Sequence, residues 1–339
     1  MWLFKPDIVN FLYSAKAVFM KRLIPSNLIP ISLWDEKIKL LRIPPDMVEI
    51  YRILISRNNL NQLANSRNPK NPPTGGLTQE KTDEHFAQAF DGSSARAQLA
   101  LLDPKNELAE ISNDIIVILS GNKVSLTDAP CGAGAAAFAL LANIAELRRN
   151  EVLPRMPLDI FMVGAEISEP ARKYAQDILV ELRPKLEAQA IFVEAIFREW
   201  DVTCSLSNTD LIQCVTQRVM DYNKRLLIIA NFNGFLEKER KRKDAEKQIE
   251  ELFRHLSSTD NSMAIWIEPN MNRATESLFP WIFKKVKEFW SRFVIIKLES
   301  KLEPMPLNTS TEFRLPLSDS NKSSVRLSII PINLIRSRK

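Results

Sequence analysis

Apolar and polar residues in the larger, C-terminal part of the chain follow two alternating patterns. Short and nearly continuous apolar runs, typical of strands buried on both faces of a parallel sheet, lead into Asp128 and recur at 159–165, 190–202, 225–230 and 263–268. The segments between these runs have their apolar residues at helical spacing. Strands that alternate with helices predict a mostly parallel sheet covered on both faces, so we expect a doubly wound α/β fold.

The segments between and after these strands predict further elements. Helices are predicted at 135–150, 171–186, 206–222 and 237–256, and an aromatic-rich amphipathic helix at 280–292. Three β-prone segments follow, at 293–298, 312–317 and 325–335, and they fit an antiparallel hairpin that closes the sheet.

The N-terminal part has a different organisation. The pattern predicts helices at 6–23, 34–41, 45–57 and 108–119, and a helix–turn–helix at 83–102 whose turn is 91–94. A stretch rich in Asn, Pro and Gly between them is typical of a mobile linker or surface loop. We therefore divide the chain into a helical N-terminal module (1–57), this linker (58–82) and a main domain (83–339).

Charge changes this picture only at the N-terminus. The 339-residue chain has a net charge of +5, whereas residues 1–75 carry six more Lys and Arg than Asp and Glu. Such an excess favours an anionic partner, of which RNA or a ribonucleoprotein is the first candidate. A helical cap that packs on the core and turns a basic surface outward would show the same excess, so both interpretations stay open. The oligomeric state is unknown at this point.

Cysteine content and hydropathy restrict the class of protein. The three cysteines, Cys131, Cys204 and Cys214, lack the spacing of a metal site, and their odd number disfavours a disulfide framework. We expect no metal site and a reducing, cytoplasmic compartment. No apolar run reaches the length of a transmembrane helix, so we expect no membrane partner.

The stretch 124–137, VSLTDAPCGAGAAA, has the features of a ligand-binding turn. A β-prone run ends at Asp128, a glycine turn follows, and an alanine-rich helix begins. Two of the chain's eight glycines, Gly132 and Gly134, lie in this turn. Glycine allows the backbone to approach a ligand closely, and the first N–H groups of the helix are unpaired and point toward it.

This turn resembles the first motif of class I S-adenosylmethionine (SAM) methyltransferases. The residues that carry the resemblance are Asp128, Ala129, Pro130, Cys131, Gly132, Ala133 and Gly134. The resemblance implies a Rossmann-like, mostly parallel sheet of seven strands and SAM as the cofactor. It also implies cofactor contacts from Asp128, Pro130, Cys131, Gly132 and Gly134.

Polar residues that follow the next predicted strands match further positions of the family. Glu166 closes the second strand, where the family holds the ribose of the cofactor, and Ile167 comes next. A carboxylate there can accept hydrogen bonds from both ribose hydroxyls. Asp201 matches the position that often holds the adenine amino group. The resemblance also implies cofactor contacts from Ile167, Val202 and Asn231. The resemblance also makes three residues before the first strand candidates for the methionine end of SAM: His85, Ser94 and Arg96.

Two branches of the family share further features with the chain. The ribosome-associated small-subunit methyltransferase-like branch is favoured by Glu268-Pro269-Asn270 and by the run Phe313 to Pro316, although the cysteine cluster of that branch is missing. The chemotaxis-receptor carboxyl methyltransferases share the long first helix, but the chain has no room for their inserted β-subdomain. The Asn-Pro-Pro-Tyr signature of amino-group methylation is also absent.

Methyl transfer from a sulfonium is an in-line displacement, so positioning can supply much of the rate, and a base is needed only for a poor nucleophile. We expect Asn231 and Asn233 to orient the acceptor, and Glu268 to act either as a base or as a structural carboxylate. The first hypothesis is a SAM-dependent methyltransferase that acts on RNA or a protein–RNA assembly. The alternatives are a SAM-binding or scaffold protein without catalysis, and a methyltransferase of small molecules or proteins.

Overall fold

The computed structural model describes residues 22–67, 73, 75–218, 221–222, 224–256, 262–269, 307–318 and 320–333. The helix predicted at 280–292 and the strand predicted at 293–298 lie outside these residues. The same holds for all but the last two residues of the helix predicted at 6–23.

The described residues form nine strands and nine α-helices. The strands are β1 (Trp34–Asp35), β2 (Leu40–Leu41), β3 (Asn122–Asp128), β4 (Leu158–Ala165), β5 (Ile191–Arg198), β6 (Lys224–Ala230), β7 (Ser262–Pro269), β8 (Leu307–Arg314) and β9 (Lys322–Asn333). The helices are α1 (Pro45–Arg57), α2 (Asn61–Asn65), α3 (Gln79–Leu102), α4 (Ala109–Leu119), α5 (Ala135–Arg149), α6 (Glu169–Glu187), α7 (Ser205–Gln217), α8 (Asn233–Lys238) and α9 (Arg242–Leu256). A 3₁₀ turn, Ser26–Leu28, precedes β1.

The strands form one sheet in the order β1-β2-β8-β9-β7-β6-β3-β4-β5. Strands β3 to β7 are parallel, and among themselves they have the order of the first five strands of a Rossmann-type sheet. Strand β9 is antiparallel to both β7 and β8. The predicted α/β class is confirmed. The predicted number of seven strands is wrong, because β1 and β2 extend the sheet to nine, and the sheet is partly antiparallel.

Helices cover both faces of the sheet, as side-chain alternation along the strands requires. On β4, Ile160 and Met162 belong to one hydrophobic cluster and Phe161 and Val163 to another. Helices α3, α5 and α6 pack into the first cluster, whereas α7 and α9 pack into the second. Helix α5 is buried along nearly its whole length, so its N-terminus is held rigidly beside the end of β3.

The N-terminal segment packs on the same hydrophobic cluster as the sheet. Leu33, Trp34, Ile50 and Leu54 are all buried in that cluster, beside residues of α3 and α5. The limits of the predicted module and linker stay predictions, although the short helix α2 lies within the linker range.

The helix predicted at 34–41 is wrong, because this segment forms the tight hairpin of β1 and β2. Leu40 and Leu41 pair in parallel with Glu312 and Phe313 of β8. Lys39 has the left-handed backbone (φ 52°) that the turn requires. The segment takes its conformation from a strand far away in the sequence, which helical spacing cannot reveal.

The turn predicted at 91–94 is also wrong, because α3 continues through it. Ser94 Oγ donates a hydrogen bond to the carbonyl oxygen of Phe90 (3.0 Å), within the helix. The buried Asp91 carboxylate forms an ion pair with Arg67 (2.7 Å). Turn-forming residue types are therefore accommodated in a helix that tertiary contacts stabilise.

The long helix predicted at 237–256 is instead two helices. Arg240 adopts a left-handed backbone (φ 55°) between α8 and α9, and this conformation ends the first helix.

Candidate cofactor-binding and active site

The glycine turn connects the carboxyl end of β3 to the N-terminus of α5. The backbone N–H of Cys131 donates to the carbonyl oxygen of Ala165 on β4 (2.9 Å), and that of Gly134 donates to Cys131 (2.7 Å). Gly132 and Gly134 have left-handed backbones, with φ of 52° and 78°. The peptide bond between Ala129 and Pro130 is cis. The N-terminus of α5 consequently lies at the edge of the sheet where the parallel order reverses, between β3 and its neighbours β4 and β6.

The two glycines of the turn have different surroundings. A Cβ atom on Gly134 would lie 2.2 Å from the ring of Phe138, so this glycine is needed for packing within the protein. A Cβ atom on Gly132 would meet nothing within 4 Å. Gly132 is therefore the glycine whose missing side chain leaves space for a ligand, and it is the better position for a test of ligand binding.

Glu166, which follows β4, is bound directly to the glycine turn. Its Oε2 accepts the backbone N–H of Gly132 (3.0 Å), and its Oε1 accepts that of Ser168 (2.9 Å). Arg172 holds the same segment from α6 through the carbonyl oxygens of Glu166 and Ile167. Burial raises the pKa of Glu166, and the two N–H groups oppose that rise. Each carboxylate oxygen has a further lone pair that can accept a hydrogen bond from a hydroxyl group.

Asp128 lies beneath the turn with no solvent exposure. Burial, together with the charge of Glu166, raises the pKa of Asp128 to about 8, and the backbone N–H of Ala137 offsets part of this rise. Asp128 and Cys131 are both buried, and burial also raises the pKa of the Cys131 thiol. Direct contact of these two side chains with a ligand stays a prediction.

Asp201 and Val202 follow β5 at the same edge of the sheet. Asp201 Oδ1 accepts the backbone N–H of Thr203 (2.9 Å) and its hydroxyl group (2.7 Å), which fixes a tight turn. Val202 is buried in the second hydrophobic cluster together with Trp200. The Asp201 carboxylate is thus positioned at the strand end by local hydrogen bonds, as an adenine-binding group would have to be.

Arg96 on α3, Ser93 on α3 and Asn231 after β6 form a closed hydrogen-bonded group. Arg96 Nε donates to Asn231 Oδ1 (2.9 Å), and Arg96 Nη2 donates to Ser93 Oγ (3.2 Å). Asn231 Nδ2 donates to the same hydroxyl (3.1 Å). Burial lowers the pKa of Arg96 to about 10, and the charges of Glu268 and Asp91 oppose the shift, so the guanidinium stays charged at neutral pH.

Glu268, at the end of β7, is buried and forms several hydrogen bonds. Its Oε1 accepts the backbone N–H groups of Phe232 (2.9 Å) and Asn233 (2.8 Å) and the indole N–H of Trp266 (2.6 Å). Burial raises the pKa of Glu268, and these donors oppose the rise. The contacts place Glu268 at the start of α8, where it caps the helix.

Asn233, the second predicted orienting residue, is also buried. Its Oδ1 accepts a hydrogen bond from Arg242 Nη2 (2.8 Å). Its side-chain oxygen is therefore already used within the protein.

One residue at this edge of the sheet, Ser93, was not among the predicted site residues. Ser93, rather than the predicted Ser94, is the serine that binds Arg96 and Asn231. The i, i+3 spacing of Ser93 and Arg96 could have revealed their contact only if the helix had been predicted as continuous.

His85, another predicted candidate, has a neutral imidazole. Burial and the charge of Arg96 lower the pKa of His85 to about 4.

The described residues contain no group of three or more His, Cys, Asp or Glu that could hold a metal ion. None of the helices in the described part of the chain is long and apolar enough to cross a membrane.

Comparisons with known proteins add little to this geometry. No protein family matches the chain, and no curated protein matches it. Among solved structures, the crystal structure of the glycopeptide N-methyltransferase MtfA complexed with sinefungin is similar at 12% identity, over 63% of this chain and 67% of that one, with a TM-score of 0.25. A TM-score of 0.25 at 12% identity is too low to support a statement about function.

Proposed function

We propose that the chain binds SAM at the carboxyl edge of its parallel strands and transfers the methyl group to an acceptor. The observation that carries the proposal is the bond between Glu166 and the backbone N–H of Gly132 (3.0 Å), beside the open space above Gly132. This arrangement places a carboxylate, a glycine turn and a helix N-terminus in one crevice at the point where the strand order reverses.

The residues present fit the parts of this cofactor. Glu166 would accept the ribose hydroxyls, and Asp201 would accept the adenine amino group. Bonds from Nε and Nη2 to Asn231 and Ser93 orient the charged Arg96 guanidinium, and its remaining nitrogen, Nη1, would hold the carboxylate of the methionine end. SAM supplies an electrophilic methyl group on its sulfonium, and the protein needs only to hold the acceptor in line with it.

For the acceptor we propose RNA or a protein–RNA assembly, and for the family the ribosome-associated small-subunit branch. The support is the excess of six basic residues within 1–75 and the segments Glu268-Pro269-Asn270 and Phe313 to Pro316. Phosphate contacts made by basic residues release counterions, so RNA binding should weaken steeply with salt.

The second candidate is a SAM-binding protein without catalysis, and the hydrogen bonds of Glu268 favour it. A base must be able to reach the acceptor proton, but Glu268 Oε1 already accepts three N–H groups. The protein would then bind SAM and act as a scaffold.

Calorimetry with SAM tests the binding step. We expect Gly132→Ala to lower the affinity at least tenfold, because the new methyl group occupies the space of the ligand. The left-handed backbone there also costs about 1–2 kcal/mol of stability, so circular dichroism must show that the variant is folded. Gly234→Ala controls for the added methyl group alone, because its Cβ atom would also meet nothing within 4 Å, whereas its backbone is not left-handed. If folded Gly132→Ala protein binds SAM as well as wild type does, the proposed site is wrong.

Transfer of tritium from labelled SAM to RNA, protein and small-molecule fractions separates the two candidates. Label in the RNA fraction supports the first function. SAM binding without label in any fraction supports the second.

A further inference from the structure

Helix α3 crosses the crevice of the candidate site and is anchored on both sides of it. In the first turns of α3, the hydroxyl oxygens of Thr82 and Ser168 lie 3.2 Å apart, and the backbone N–H of Ser168 donates to Glu166 Oε1 (2.9 Å). About three turns later, Asn231 Nδ2 donates to Ser93 Oγ (3.1 Å). Glu166 follows β4, Asn231 follows β6, and β3 lies between these two strands. The stretch of α3 between its anchors therefore passes over the end of β3, where the glycine turn begins.

One face of this stretch combines two polar side chains with two small residues. His85, Ala89, Gly92 and Arg96 recur at helical spacing, and all four are partly exposed. A Cβ atom on Gly92 would lie 3.8 Å from Arg96 Nη1, so the guanidinium reaches back along the helix toward His85. The two small residues leave a shallow trough between imidazole and guanidinium, roughly 10 Å long from His85 to Gly92.

The imidazole of His85 is fixed in position without a hydrogen bond. A Cβ atom on Gly75 would lie 3.5 Å from His85 Cγ, so the backbone of Gly75 packs against the ring. Within the described part of the chain, no group forms an ion pair or a hydrogen bond with this imidazole. Because burial and the charge of Arg96 lower its pKa, the ring is neutral at pH 7, and one of its nitrogens has a free lone pair.

The proposed cofactor would bring a positive charge to this place. With its ribose at Glu166 and its carboxylate at Arg96 Nη1, SAM has its sulfonium between them, beneath the trough, because a short aliphatic arm joins sulfonium and carboxylate. A cation that is removed from water is costly unless an electron-rich group faces it. Of the four side chains along the trough, only that of His85 can accept a hydrogen bond or face a cation with a lone pair.

We propose that His85 faces the sulfonium and makes the site prefer SAM over its product, S-adenosylhomocysteine. This inference rests on the proposed function. In the transfer, a lone pair of the acceptor forms the new bond to the methyl carbon, and both electrons of the broken bond stay on sulfur. The product is therefore a neutral thioether, which the lone pair of His85 no longer attracts. The loss of this attraction favours release of the product and limits its inhibition of the site.

Calorimetry with SAM and with S-adenosylhomocysteine tests the inference, because the two ligands differ only in the methyl group and its charge. His85→Lys places a cation opposite the sulfonium, so we expect the ratio of the affinity for SAM to that for S-adenosylhomocysteine to fall at least about tenfold. His85→Gln keeps a neutral acceptor oxygen, and its ratio should stay within about twofold of the wild-type ratio.

Two further variants sharpen the test. Gln88→Lys adds the same charge to α3, but Gln88 Nε2 donates to the carbonyl oxygen of Leu63 (3.0 Å), so this side chain is directed at α2 and the ratio should not change. His85→Leu removes the lone pair without adding a charge, and it serves where circular dichroism shows that His85→Lys is not folded. Its ratio should fall at least about threefold.

The outcomes separate this inference from the function on which it rests. A folded His85→Lys or His85→Leu protein with the wild-type ratio overturns the role of His85, while the SAM site stands. A fall in Gln88→Lys as large as that in His85→Lys also overturns it, because the effect would then come from overall charge. Wild-type protein that binds neither ligand overturns the proposed function and, with it, this inference.

Discussion

The two halves of the candidate site use their polar groups differently. The loop half consists of Gly132, Glu166 and the start of α5, and the amide half consists of Ser93, Arg96, Asn231 and Glu268. In the loop half, each Glu166 oxygen accepts one backbone N–H, and the space above Gly132 is open. In the amide half, the side chains bind mainly one another or the start of α8.

This difference indicates which roles each half can have. A carboxylate that backbone N–H groups hold in place, and that has lone pairs remaining, is suited to bind a ligand. It is already in position before the ligand arrives. Groups that satisfy one another mainly fix the geometry of the edge, and removing one leaves its partners unpaired in a buried place. We therefore expect the loop half to determine affinity for SAM and Glu268 to determine stability.

The largest effect should come from Glu268. Glu268→Ala removes the carboxylate that accepts the N–H groups of Phe232, Asn233 and Trp266, and the loss of such a bond costs about 1–3 kcal/mol for each buried group. We expect urea unfolding to show a loss of at least about 3 kcal/mol. Glu268→Gln keeps an acceptor oxygen and should lose less than half as much.

The glutamine variant also tests the role of Glu268 in catalysis. If Glu268→Gln is stable but has lost methyl transfer, Glu268 is a base after all. If Glu268→Ala is as stable as wild type, the capping role is wrong.

The next effect concerns the affinity of the loop half for SAM. Glu166→Ala removes acceptors for the ribose and also releases the N–H of Gly132. Hydrogen bonds to a charged group contribute about 1.5–3 kcal/mol, so the affinity should fall roughly tenfold to more than a hundredfold in calorimetry. Glu199→Ala is the control, because Glu199 lies at the same edge and is exposed. An affinity within twofold of wild type would exclude the ribose-binding role of Glu166.

The third prediction is that the stability of the protein depends on pH because of Asp128, which lies beneath the loop half. Its pKa is about 8 in the folded protein and about 3.9 in an unfolded chain, so between these values the folded state binds one more proton. The free energy of unfolding therefore falls as pH rises, by at most about 1.4 kcal/mol per pH unit. From pH 6 to pH 7.5 we expect a loss of about 2 kcal/mol in urea unfolding.

The variant Asp128→Asn isolates this effect. Its amide cannot ionise, so its stability should lack this decrease, while groups such as His85, whose lowered pKa acts in the opposite direction, contribute equally to both proteins. Parallel pH profiles for wild type and variant would show that Asp128 does not hold its proton.

The strand, turn and helix of the loop half could be predicted from the sequence because their determinants are local. A buried strand, a glycine pair and an alanine-rich helix are adjacent in the chain, and Glu166 follows from the rule that parallel strands end at one edge. The amide half depends on contacts between distant segments. Ser93 faces Asn231 only because α3 continues through 91–94, and the Asp91–Arg67 ion pair contributes to that continuity. The pairing of β2 with β8 cannot be predicted from a local sequence pattern either.

The smallest effect is expected at Asn231, where two substitutions separate the contribution of the backbone to stability from that of the side chain. This residue has a left-handed backbone (φ 55°), and its amide binds Arg96 and Ser93. Asn231→Gly removes the amide but suits the backbone, whereas Asn231→Ala removes the amide and also adds about 1 kcal/mol of backbone strain. The alanine variant should therefore be less stable than the glycine variant by about 1 kcal/mol in urea unfolding.

Asn59 is the matched control for this pair. It is exposed, has a similar left-handed backbone (φ 57°), and lies outside the site. The difference between Gly and Ala should be the same at both positions, because it comes from the backbone alone. Only at Asn231 should the change to Gly itself reduce stability, because only there does the amide bind Arg96. If Asn231→Gly is as stable as wild type, the hydrogen bonds of the amide half contribute nothing net, and its role is limited to orienting groups at the edge of the sheet.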